Sequence, residues 1–138
     1  MTSGQIKLTV ALGSALIGAL LTWLILTFAM PEKAETVLLR TSNEFNRNCP
    51  VMLDKATRFD NTAVAGKSIR FCYTLINTVK DSVDTTLFKS ITEPFIKQRV
   101  KENSALQYLK TAKVTLVYIY RDKNGNRLTE ITVEPTEK

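Results

Sequence analysis

The sequence predicts a small α+β domain behind one N-terminal transmembrane helix, with a four-stranded, mainly antiparallel sheet packed on helix in the order α-ββαββ. Three observations predict it. Leu8 to Met30 is a single uncharged run, LTVALGSALIGALLTWLILTFAM. Ile69, Phe71, Tyr73 and Leu75 alternate with Arg70, Cys72 and Thr74, the period of a half-buried strand. Val114 to Tyr120 is β-branched and aromatic, and Leu128 to Val133 returns after the turn Asp122-Lys-Asn-Gly-Asn126. Asn124-Gly125 there supplies the positive φ angles of a tight hairpin.

The elements follow in order. Residues 1–7 form a short N-terminus. Residues 8–30 are long enough to cross a hydrocarbon core of roughly 30 Å at about 1.5 Å per residue. A backbone in lipid must satisfy its own amides, so this run is expected to be helical. Lys7 and the α-amino group precede it without an acid, whereas Glu32, Lys33 and Glu35 follow it. That bias places the N-terminus in the cytoplasm and the domain on the outer side of the membrane that anchors it. Thr27 and Ala29 also make a passable cleavage site, although Met30-Pro31 directly after it is a poor one. Within the span Ala11, Ala15 and Ala19, beside Ser14, Gly18 and Thr22, give a smooth face where another helix could pack.

Residues 31–48 read as a juxtamembrane helix or stalk, with helix from Glu32 to Asn46 and an apolar stripe of Val37, Leu38 and Phe45. Asn48-Cys49-Pro50 interrupts it, and residues 49–138 form the extracytoplasmic domain. Thr57 to Val64 is expected to pair with Ile69–Leu75 across Ala65-Gly66-Lys67, placing Cys72 opposite about Phe59. Asp84 to Leu109 reads as helix, with Leu87, Phe88, Ile91 and Phe95 at helical spacing. Pro94 suggests a kink or two helices with Thr92 as cap, and Asn103-Ser104 a second break. Pro135 ends the last strand.

Composition bounds the chemistry. The chain has 138 residues, net charge +6 and no histidine, which removes the commonest general base and metal ligand. Two cysteines and scattered acids make no metal site. Five glycines include no phosphate loop or dinucleotide fingerprint, so no cofactor is expected. Asp54 and Asp60 are the acids that could converge as a carboxylate pair. For Cys49 and Cys72 three readings stand: a disulfide, buried free thiols, or a redox or nucleophilic role without a Cys-x-x-Cys motif. Lys89, Lys97, Arg99, Lys101, Lys110 and Lys113, against Glu93 and Glu102, form either a solvated face or a contact for anionic lipid or an acidic partner. Phe71, Tyr73, Tyr118 and Tyr120 sit at strand spacing and fill a core, so no nucleic acid is expected.

Asn48-Cys49-Pro50, Asp54, Thr57-Arg58-Phe59-Asp60-Asn61, Tyr73-Thr74-Leu75, Asn77, Lys113-Val-Thr and the Asp122-Lys-Asn-Gly turn resemble a group of small uncharacterised bacterial proteins. The resemblance covers roughly Asn48 to Pro135. It implies a bacterial envelope origin and no activity that transfers to any residue.

The functional expectation is a membrane-anchored, non-enzymatic binding or assembly module of the cell envelope. Its partners would be membrane lipid and another envelope or membrane protein, or a second copy. The alternatives are a membrane-tethered enzyme or thiol protein using Cys49 or Cys72, and a secreted binding domain released after signal cleavage.

Overall fold

The computed structural model describes residues 33–134. The expected transmembrane helix over 8–30, its packing face and Pro135 lie outside the described residues. Among the described residues no helix is long and apolar enough to cross a membrane.

Helix α1 spans Ala34–Arg47. It is a packed first helix of the domain and not a stalk. Leu38 and Ser42, one turn apart, are buried against the sheet, while Leu39 and Phe45 stay exposed. Strand β1 is only Val51–Met52, β2 is Thr57–Ala65 and β3 is Ser68–Leu75. After a short 3-10 turn, Lys80–Ser82, helix α2 runs from Thr85 to Glu102. A second 3-10 turn, Ser104–Leu106, leads into the short helix α3, Gln107–Thr111. Strands β4, Thr115–Asp122, and β5, Arg127–Val133, close the domain.

The five strands form one sheet in the order β1-β2-β3-β4-β5. Neighbours are antiparallel except β3 and β4, which run parallel. The expected four-stranded, mainly antiparallel sheet is therefore corrected on two counts. A parallel pair needs a crossover of a dozen or more residues, and α2 with α3 supplies it. The additional strand, β1, is two residues long, too short to leave any period in the sequence.

Two further expectations change. Helix α2 is continuous through Pro94. Its N-cap is Asp84, not Thr92: the Asp84 carboxylate accepts from the backbone N–H groups of Thr86 and Leu87 at 3.0 and 2.9 Å, satisfying two orphan donors of the first turn. The hairpin register shifts between Phe59 and Asn61, so Cys72 faces Asn61 and not Phe59. Asp60 is the residue inserted at that irregularity. Its carboxylate accepts from Thr74 Oγ1 at 2.5 Å and pairs with Arg58 Nε at 2.6 Å.

Alternation sorts the side chains onto two faces. Phe59, Ile69, Phe71, Leu116, Ile131 and Val133 point to the helix side, where they form the core with Leu38, Ile96, Val100, Leu109 and Val114. Helix α1 lies on β2 and α2 lies against β5. The helices thus straddle the sheet and leave its two central strands between them.

The edge of β2 beyond β1 has a side-chain partner in place of a strand. The Asn46 carboxamide accepts from the Thr62 N–H at 2.7 Å and donates to the Thr62 carbonyl at 3.0 Å. Ser42 and Thr62 hydroxyls lie 2.6 Å apart beside it. The far hairpin is tied down by Asp122, which is fully buried. It accepts from the N–H groups of Asn124 and Asn126, from the Asn126 side chain, and from the Lys80 N–H across the loop.

A candidate docking trough between the helices

The space between α1 and α2 is an open trough floored by aromatic rings. Tyr73 stacks on Tyr120 at 5.0 Å and Phe71 on Tyr118 at 5.1 Å. Phe59 continues the row at 5.2 Å from Tyr73, and Phe45 of α1 meets Phe59 edge-on at 6.2 Å. The rings touch across strands because parallel β3 and β4 set Phe71 opposite Tyr118 and Tyr73 opposite Tyr120. Phe59 and Phe71 are buried, whereas the three tyrosines are only half-buried.

Two cavities open on this floor and share Leu53. One, of 480 Å³, lies between Phe45, Cys49, Val51 and Phe59. The other, of 320 Å³, lies between Tyr73, Tyr118, Tyr120, Phe95 and Arg99. Leu53 reaches both because the chain reverses at Asp54, whose Oδ1 accepts from the N–H groups of Ala56 and Thr57 at 2.7 and 2.8 Å. Those two bonds lower the Asp54 carboxyl below its ordinary range. The turn lifts Leu53 to 57% exposure.

Helix α2 supplies the second wall. At 100° per residue, Ile96 and Val100 face the core, while Phe88, which meets Tyr120 edge-on at 5.5 Å, and Phe95 and Arg99, which line the second cavity, lie on the flank toward the trough. Leu87, Ile91 and Phe95 are 56, 66 and 57% exposed, although their spacing is that of a core stripe. The Arg99 guanidinium lies 5.0 Å over the Phe95 ring, a contact that holds a charge beside the apolar rim. Apolar surface runs from Phe45 through Leu53 to Phe95 across the two cavities that share Leu53, and such a patch marks an interaction site.

The floor stays uncharged. Burial, with the neighbouring hydroxyls, raises the phenol of Tyr118 to about 12 and that of Tyr73 further still. Tyr120 is raised by burial alone. Neither cysteine is activated. Burial, then Asp60, raises the Cys49 thiol, which donates to the Phe45 carbonyl at 3.2 Å. Burial also raises the Cys72 thiol, against nearby Arg121 and Arg70. The two thiols are unbonded: Cys49 packs on the helix-side core, and Cys72 points to the opposite face by alternation from Phe71 and Tyr73. Asp54 and Asp60 are each held in their own turn or bulge by separate hydrogen bonds. Among the described residues no cluster of His, Cys, Asp or Glu could hold a metal ion.

Of the six basic residues singled out in the sequence, Lys97, Lys101 and Lys110 line one cavity. Lys89 lines another with Glu93 near the start of α2, Arg99 belongs to the trough, and Lys113 stands alone in a left-handed turn at φ 56°. The trough itself was not picked out in the sequence. Its signal was present as the stripe Leu87, Ile91 and Phe95, but periodicity does not say whether a stripe is covered.

Comparison with known proteins now adds the family. Residues 33–129 match the model of a domain of unknown function, DUF8479. The chain belongs to this family. No curated protein matches it. Among solved structures it is similar to a Pseudomonas aeruginosa protein described as secreted, at TM-score 0.64 and 11% identity over 72% of this chain and 88% of that one. It is also similar to the pilotin EpsS of the Vibrio vulnificus type 2 secretion system, at TM-score 0.58 and 8% identity over 72% and 86%. The Vibrio cholerae type II secretion pilotin AspS gives 0.54 and 8% over 72% and 87%.

At such identities the likeness is one of fold. The expectation of a single-pass, signal-anchored module of the inner membrane is corrected to this extent: the fold is that of a protein described as secreted and of two secretion-system pilotins, and among the described residues no helix is long and apolar enough to cross a membrane.

Proposed function

We propose that this DUF8479 domain is a non-enzymatic docking module, and that its trough receives an apolar segment of another envelope protein. One observation carries this reading: Leu53 and Phe95, each 57% exposed, line one cavity over Tyr73, Tyr118 and Tyr120, and Leu87 and Ile91 are exposed further along α2. The dimensions suit an amphipathic helix laid between two helices, whose anchors recur at i, i+4 and i+8. The pilotin-like fold supports the same reading. The trough's thiol, Cys49, is raised by burial and then by Asp60, so it is not activated as a nucleophile.

The test is site-specific photocrosslinking in cells. Benzoylphenylalanine at Phe95 and at Leu53 should capture the same envelope protein, and Ile91→Asp should abolish capture from Leu53. Probes at Arg70 and Lys123, away from the trough, should capture nothing in common with these. Equal capture of one product from all four positions would refute a partner seated in the trough.

A further inference from the structure

The second cavity of the trough has a polar side. Tyr73, Tyr118 and Tyr120 line its 320 Å³ together with Arg99, Phe95 and Leu53. Among the described residues none of these three phenols makes a hydrogen bond, whereas the fourth tyrosine, Tyr108, meets the Thr41 hydroxyl at 3.3 Å. No buried side-chain nitrogen or oxygen of the described residues lacks a partner. The three hydroxyls therefore reach open space, and the cavity they line supplies it. The Arg99 guanidinium rests over the Phe95 ring at 5.0 Å and forms no ion pair among the described residues.

The one acid of the lining, Asp54, is already engaged, its Oδ1 accepting from the N–H groups of Ala56 and Thr57 at 2.7 and 2.8 Å. It is also exposed, where water and salt screen its charge. An apolar segment laid over this cavity removes water from three phenols and a guanidinium. A phenol can both donate and accept, but a guanidinium carries five N–H donors and accepts nothing. Desolvated without an acceptor it is costly, which disfavours a wholly apolar cover. A carboxylate answers each feature: it takes the planar fork of Arg99 on two oxygens and keeps lone pairs for the phenol O–H groups. An ammonium would be repelled, and a neutral hydroxyl would leave the charge unmatched.

We infer that the segment received by the trough carries an aspartate or glutamate side chain that seats between Arg99 and the hydroxyls of Tyr73, Tyr118 and Tyr120, flanked by apolar residues over Leu53 and Phe95. This acidic anchor rests on the docking reading, since it presupposes a partner seated in the trough, and it sets which segments are accepted.

Benzoylphenylalanine at Leu53 of the full chain is the probe, and tandem mass spectrometry reads the captured segment. An Asp or Glu should lie within one helical turn of the joined residue. Arg99→Gln should lower capture about tenfold, the loss of one charge-assisted pair, and so should changing the partner's acid to its amide, which leaves this domain's fold untouched. The two changes together should lower capture no further than either alone, since each removes the same contact. Tyr73→Phe with Tyr120→Phe keeps the rings and should also weaken capture, whereas a purely apolar seat would hold as well or better. Capture that survives Arg99→Gln and the paired phenylalanines, while Ile91→Asp abolishes it, would overturn the acidic anchor and leave the trough reading standing. Additive losses, or a captured segment with no acid within that turn, would do the same. Equal capture of one product from Arg70 and Lys123 would instead refute the trough reading, and the anchor with it.

Discussion

Replacing the half-buried Asn46 with alanine should destabilise the domain by removing the partner of the β2 edge. The carboxamide satisfies both the N–H and the carbonyl of Thr62, at 2.7 and 3.0 Å, and Thr62 is only 4% exposed. Each buried backbone group left without a partner costs about 1 to 3 kcal/mol, so the pair costs about 2 to 6 kcal/mol. A domain of this size shifts in Tm by roughly 4 to 8 °C per kcal/mol, which predicts a fall of roughly 10 °C or more. Asn46→Asp keeps the acceptor for the Thr62 N–H and loses the donor to its carbonyl, and should fall between wild type and alanine. The neighbouring exposed Asn48→Ala serves as a control and should shift stability by less than about 0.5 kcal/mol. Urea and thermal unfolding followed by circular dichroism measure all three. A loss below about 1 kcal/mol for Asn46→Ala would mean that water satisfies the edge of β2, and that α1 is held by Leu38 and its apolar contacts alone.

Three more outcomes follow from the same structure. Asp122 is pushed up by burial, but hydrogen bonds from the Asn126 side chain and from the Lys80, Asn126 and Asn124 N–H groups outweigh that and hold it at about 2 against an ordinary 3.8. Its contribution is therefore complete above about pH 4 and lost as pH falls toward 2, and Asp122→Asn should flatten the decline of Tm across that window. Gly66 has φ +57° with nothing within 4 Å of an added Cβ, so Gly66→Ala should cost about 1 kcal/mol from backbone strain alone, and Gly66→Asn less, by urea midpoint. With Tyr118 raised to about 12 and Tyr73 further still, an ultraviolet titration of the folded protein should show these two phenols still largely un-ionised at pH 11, and full ionisation of all four tyrosines there would contradict the packed ring floor.

The strands at Ile69–Leu75 and Val114–Tyr120 and the Asn124-Gly125 hairpin were legible because each rests on local signals, a period of two or a turn needing positive φ. The parallel pairing of β3 with β4 was not, since nothing local distinguishes it from a second antiparallel hairpin. The register slip came from one bulged residue, Asp60, whose partners Arg58 and Thr74 are known only once the strands pair. Asn46 gave no sign of its role because Thr62, its partner, is distant in sequence. The basic residues show the same division: helical spacing joins Lys97 to Lys101, but only the tertiary fold adds Lys110 and separates Lys89 and Lys113. For the trough, Leu87, Ile91 and Phe95 were visible as a stripe, and the structure alone shows it uncovered.

Stability and partner binding measured together on Ile91→Asp and Phe95→Asp decide whether that stripe is displayed for a partner. If the flank of α2 is a displayed docking surface, unfolding free energies should stay within about 0.5 kcal/mol of wild type, while copurification of the photocrosslinked partner is lost. Destabilisation of about 2 kcal/mol or more with copurification intact would contradict it, because the stripe would then be buried core and the trough closed in solution.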